Sequence, residues 1–188
     1  GLYLNTTGGI FAGNDTTNPT TGGTLTVTAT GGAYYGVQVP AGSLVSNGAM
    51  SITGTSTQEA LYIYGAGGIK SNGDITLSGT ATHATSYWGM YLSGSRTIQS
   101  VGGNIVMNAS GAGGIYMNGG AIVAGNETTT PTSGGTITIN GTARGTDIGG
   151  AGLRLDGNST KIIGFGDISI YGNAAPAGPL FHAFGSVL

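Results

Sequence analysis

Cleavage of sugar or ester bonds needs carboxylates and bases brought together, and this chain offers few of either. Its acids are Asp15, Glu59, Asp74, Glu127, Asp147, Asp156 and Asp167. Its bases are Lys70, Arg96, Arg144, Arg154 and Lys161, with His83 and His182. Asp156 lies two residues from Arg154 and reads as a surface ion pair. Asp74 and Asp167 hold equivalent places in a repeat, three rungs apart, which is about 14 Å at one strand spacing per rung. His83 and His182 are isolated, so no metal set is expected. We assign no catalytic residue and no cofactor. Asn-x-Ser/Thr triplets start at Asn5, Asn14, Asn108, Asn126, Asn140 and Asn158. They accept glycans only in a compartment with the transferase, and chance supplies most of them in so Asn- and Thr-rich a chain.

The remaining chemistry-bearing side chains are aromatic and hydroxylic, and a repeat positions them. Copies begin at Gly1, Gly36, Ala60, Gly89, Gly114 and Gly152, with a partial copy from Pro179. A period of this size marks a solenoid, whose repeats bury their apolar faces only against their neighbours. Each copy contains three short strands. The third is clearest: TLTVTAT at 24–30, MSITGT at 50–55, DITLSGT at 74–80, NIVMNAS at 104–110, TITINGT at 136–142 and DISIYGN at 167–173. Alternation of period two sends neighbours to opposite faces. One inward column is therefore Leu25, Met50, Ile75, Ile105, Ile137 and Ile168, and small residues such as Gly54 and Gly79 follow where a corner is expected. The first strand points Leu2/Leu4, Val37/Val39, Leu61/Ile63 and their equivalents inward. The middle strand centres on Ile10, Leu44, Ile69, Ile98, Ile122 and Ile162. Three strands per turn with stacked aliphatic columns predict an all-β, right-handed parallel β-helix of six to seven coils. The hand follows from the bias of parallel crossovers. The chain reads as one solenoid segment over 1–188, cut from a longer array.

Two faces could then make contacts. Outward first-strand residues are Tyr3, Gln38, Tyr62, Tyr91, Tyr116 and Arg154, with Phe181 in the partial coil. Stacked phenols form an aromatic strip, which suits a sugar ring but equally suits ladder packing along an exposed strand. Outward third-strand residues are mostly Thr and Ser, interrupted by Val106, Asn108 and Tyr171; such rows suit ordered water, and also plain strand propensity. Two excursions, GNDTTNPTTGG at 13–23 and GNETTTPTSGG at 125–135, are close copies offset by 112 residues. Their turn-rich composition predicts surface loops leaving the prism wall, with Asn14, Asp15, Asn126 and Glu127 as candidate contacts. Tyr87 and Trp88 fall in a turn, as an exposed pair or a plug over a corner.

Composition narrows the partners. Charged residues are 6% of the chain and the net charge is −2. No basic stripe for nucleic acid is legible in the order of residues, and no apolar run is long enough for a membrane span. Cysteine is absent, which a stacked solenoid tolerates.

The phrases GGTLTVTAT, NGDITLSGTAT, GGNIVMNAS and SGGTITINGTA resemble the repeats of filamentous-haemagglutinin-type exoproteins of bacterial two-partner secretion. That resemblance covers Gly1 to about Gly178 and implies a right-handed β-helix, export, and service as an adhesin shaft or fibre. It brings no catalytic residues. No secretion domain is present in the residues given. The expected function is a structural stalk segment at the cell surface or outside the cell. Its expected partners are further repeats or copies end to end, and environmental or host glycans. An ice- or carbohydrate-binding solenoid is the alternative, and a polysaccharide-active enzyme the third reading.

Overall fold

The computed structural model describes residues 1–5, 8–145, 150–174, 181–183 and 186–187. Asp147, Thr7 of the first Asn-x-Thr triplet, and Pro179, where the partial coil was expected to open, lie outside the described residues. Side chains of the last two strands are likewise outside.

Among the described residues all regular structure is β-strand. Strands of like position in successive coils pair in parallel, giving two seven-stranded sheets and one six-stranded sheet. The first sheet contains Leu2–Tyr3, Val37–Val39, Leu61–Ile63, Trp88–Ser93, Gly113–Asn118, Leu153–Asp156 and Phe181–Ala183. The second contains Gly9–Ala12, Ser43–Ser46, Ile69–Ser71, Thr97–Ser100, Ala121–Ala124, Lys161–Gly164 and Ser186–Val187. The third runs from Leu25–Thr30 through Met50–Ser56, Ile75–Ala81, Ile105–Gly111 and Ile137–Ala143 to Ile168–Asn173. The chain is therefore a three-sided parallel β-helix of six coils with the start of a seventh.

The register matches the aliphatic columns read from sequence. Met50 pairs with Ile75, Ile75 with Ile105, and Ile105 with Ile137. Ile69, Ile98 and Ile122 line up in the second sheet. These side chains form one continuous core, each contributing about 1.5–3 kcal/mol by burial against the cost of chain entropy. Ser46, Ser71 and Ser100 follow the aliphatic column of the second sheet and are fully buried. Their hydroxyls satisfy the corner backbone: Ser46 and Ser71 both donate to Gly48 O, and Ser100 donates to Gly73 O.

Three expectations change. The small residues at the end of the third strand do not mark a corner, because Met50–Ser56 and Ile75–Ala81 continue through Gly54 and Gly79. A Cβ on Gly79 would lie 2.2 Å from Gly89 O, so close approach of the next strand sets the size there. In the seventh coil the register is one residue off the expected one: Phe181 pairs with Leu153 and His182 with Arg154. Phe181 thus continues the Leu153 column, and the strip position belongs to His182. Trp88 opens a strand and is only 6% exposed; it is not a turn residue.

Candidate functional site

The first-sheet strip exists, and it is wider than one column. Tyr62 meets Tyr91 edge to face at 5.1 Å between ring centres, and Tyr91 meets Tyr116 likewise at 4.9 Å. Tyr35 and Tyr64 join from the strand ends, 4.7 and 4.4 Å from Tyr62. Trp88 stacks on Tyr116 at 5.2 Å, and the Arg154 guanidinium sits 5.3 Å over the same ring while pairing with Asp156 at 2.8 Å. Burial raises the pKa of Tyr35, Tyr62, Tyr91 and Tyr116 above the ordinary phenol value. Glu59 lies among them, its own carboxyl pushed up by burial. Tyr3 stands apart at 59% exposure, because its register partner is Gln38. It lines an open cleft of about 180 Å³ with Tyr34, Tyr35 and Gln38. Tyr35 and Tyr64 escaped the sequence reading because they flank the strand, although Tyr64 merely continues the alternation by one step.

The two excursions do not leave the wall. Each folds back over the outer face of the second sheet, and each is held by the same asparagine-centred bonds. Asn14 Oδ1 accepts from the N–H groups of Thr20 and Thr21, and Asn126 Oδ1 from those of Thr132 and Ser133. The amide nitrogens donate to Thr20 Oγ1 and Thr132 Oγ1. The necks close through Asn14 N–H to Thr21 O at 3.0 Å and Asn126 N–H to Ser133 O at 2.9 Å. Both asparagines are therefore loop organisers, and the amide a glycan would need is already bonded. Asp15 caps its own turn: Oδ1 accepts from the N–H groups of Thr17 and Asn18 and from the Thr17 hydroxyl. Those bonds, Asn18 first, hold its pKa down to about 2. Glu127 is exposed at the equivalent place.

The first loop reaches two coils along the axis. Lys70 Nζ donates to Asn18 Oδ1 at 2.5 Å, and Asn72 Nδ2 to Pro19 O at 2.6 Å. Val45 and Val123, though they point outward, are buried. Beside each loop the sheet leaves an open cleft. One of about 250 Å³ lies between Thr16–Asn18 and a floor including Ser43, Lys70 and Thr97. The other, about 310 Å³, lies between Thr128–Thr129 and Thr97, Ala121, Ser159 and Lys161. Thr97 belongs to both. Arg96 also lines the second cleft. Its Nη2 donates to the carbonyls of Val39 and Tyr64, on the two preceding coils. Its Nε and Nη1 are buried without a hydrogen-bond partner, and desolvation lowers its pKa to about 10.

The third sheet presents hydroxyl rows in register, Thr26–Ser51–Thr76 and Thr28–Thr53–Ser78 among them. Asn140 Nδ2 donates to Asn108 Oδ1 at 2.8 Å, so the asparagines bond each other along the row. The remaining acids are spread: Asp74 accepts from Asn104 N–H, and among the described residues no three His, Cys, Asp or Glu side chains are grouped as a metal site would need. His83 accepts from the N–H groups of Thr85 and Ser86 and meets Tyr87 edge to face at 5.3 Å.

Comparison with family models, curated proteins and solved structures finds no match for this chain.

Proposed function

We propose that this chain is a segment of a rigid, non-catalytic shaft in an exported bacterial surface protein of the adhesin type, working outside the cell. The observation that carries the reading is the in-register core. Aliphatic columns run through six coils without interruption, while the two inserted loops lie on an outer face. Such a body resists bending and offers long, repeated surfaces, which is what a stalk requires. The sheets propagate by adding like strands, so neighbouring repeats or further copies end to end are its natural partners. Antibody raised against the purified chain is expected to label intact, unpermeabilised source cells, and soluble chain to compete with their attachment. Labelling that needs permeabilisation overturns the reading.

The hydroxyl rows of the third sheet favour a second reading, an ice-binding solenoid. Their spacing along the axis is one strand separation, about 4.8 Å, and Val106, Asn108, Asn140 and Tyr171 interrupt them. Thermal hysteresis that disappears in Thr53→Tyr decides for it; its absence in the unsubstituted chain removes it.

A further inference from the structure

The charged residues look scattered in the sequence, yet the fold gathers most of the cations. Lys70, Arg96 and Lys161, three of the chain's five basic residues, line the two clefts beside the loops. Of the other two, Arg154 is paired with Asp156 and Arg144 donates to Ala81 O. Among the described residues no acidic side chain lines either cleft. Asp15 of the first loop spends an oxygen on its own turn and offsets part of the Lys70 charge, whose attraction helps, after the bonds from Asn18 and Thr17, to lower its pKa. A protein of net charge −2 thus carries a locally positive trough.

The trough is long as well as positive. Its floor passes through Ser43 of the second coil, Lys70 of the third, Thr97 of the fourth, Ala121 of the fifth and Lys161 of the sixth. Four strand spacings make that about 19 Å; the two lysines are offset by three spacings, about 14 Å, along the axis and by two residues along the strand. Thr97 lines both clefts. The walls are loop threonines, whose hydroxyls both donate and accept. Arg96 turns its guanidinium inward, onto the carbonyls of Val39 and Tyr64, with Nε and Nη1 buried, so it adds charge beneath the trough and not a contact for a ligand.

We propose that this trough on the second sheet binds a strand of linear acidic polysaccharide. The chain's hydroxyls would meet Thr16, Thr17, Thr128 and Thr129, and its carboxylates or sulfates would meet Lys70 and Lys161. The length selects an oligomer over a single sugar. Cations at separated points along a hydroxyl-lined channel select an acidic chain over a neutral one. Three cations are few for a nucleic acid strand, and no ring of the aromatic strip lines the trough to stack a base. The proposal extends the shaft reading by naming what the wall holds. It is tested on the purified chain and so stands or falls apart from surface display.

The probe is a fluorescent oligogalacturonate series of increasing length, with a cello-oligosaccharide series as the neutral control and oligothymidylate as the nucleic acid control. Affinity for the acidic series is expected to rise with length up to the span of the trough, then level off, and to weaken with salt. Lys70→Gln and Lys161→Gln are each expected to weaken the long acidic oligomers about threefold to fivefold, the size of one exposed ion pair. Thr97→Tyr, which fills the floor common to both clefts, should reduce long oligomers to the affinity of short ones. Unfolding midpoints matched to the parent confirm that the lysine variants fold, so they decide the question even where Thr97→Tyr does not. Equal binding of the neutral series, tighter binding of oligothymidylate, lysine variants without effect, or loss on Tyr62→Ala instead would each overturn the proposal.

Discussion

The outer faces of the first and second sheets solve one problem in opposite ways. On the first, Tyr62, Tyr91 and Tyr116 of three successive coils meet one another, flanked by Tyr35, Tyr64 and Trp88, and this stretch of the face is covered by its own side chains. On the second, the backbone itself returns, and two loops cover Val45, Val123 and their neighbours. The ring ladder depends on strand spacing, and the cleft of about 180 Å³ on this face lies at the first coils, beside Tyr3 and Gln38. The loop cover depends on asparagine bonds to backbone and leaves clefts beside each loop. A face that closes on itself serves packing, whereas one that is roofed in pieces keeps room for a ligand.

The largest expected effect separates the two faces at Trp88. Trp88→Ala should cost about 3–5 kcal/mol, as for a buried aromatic, measured by urea unfolding; an exposed loop tryptophan would cost under about 0.5 kcal/mol. Next come the loop organisers. Asn14→Ala and Asn126→Ala each remove three side-chain bonds, worth about 1–3 kcal/mol together at exposed positions. Limited proteolysis should cut within 13–23 in the first and 125–135 in the second, with the sheets intact. A cut in only one would break the equivalence of the two loops.

Tyrosine ionisation tests the first face alone. Phenol absorbance at 295 nm should show Tyr35, Tyr62, Tyr91 and Tyr116 ionising later than free tyrosine. Their folded pKa values lie above the unfolded one. Their contribution to stability is therefore whole below pH 10 and is lost as pH rises through the folded values. Tyr91→Phe should flatten part of that alkaline loss. The smallest effect belongs to Glu59. Its raised folded pKa makes the protonated form the better one, so stability should decline as pH rises from 4.5 through the folded value. Glu59→Gln should abolish that decline in thermal melts across the acid range.

The coils were legible because the core alternates strictly: Leu77, Met107 and Ile139 fall where period two puts them. The tyrosine ladder was legible for the same reason, since stacking follows register. What sequence could not give was the course of chain outside the rungs. The loops read as polar turns, and nothing in GNDTTNPTTGG says that Pro19 is buried and its carbonyl meets Asn72, two coils on. The grouping of Lys70, Arg96 and Lys161 was equally hidden, because residues 26 and 65 positions apart become neighbours only once coils stack. The seventh coil misled because Leu180 and Phe181 fit the alternation in either phase, and an aliphatic-aromatic pair does not say which member joins the column.

The closed necks of the two loops have a practical consequence. Chain enters and leaves through a single backbone bond, Asn14 to Thr21 or Asn126 to Ser133, so whatever lies between does not set the phase of the rung that follows. That corner is a natural port for grafting: a foreign peptide inserted between Thr16 and Asn18, or between Thr128 and Thr130, would be carried on the flank of the rod at a fixed height, and two different cargoes could be held at a known axial separation on one molecule.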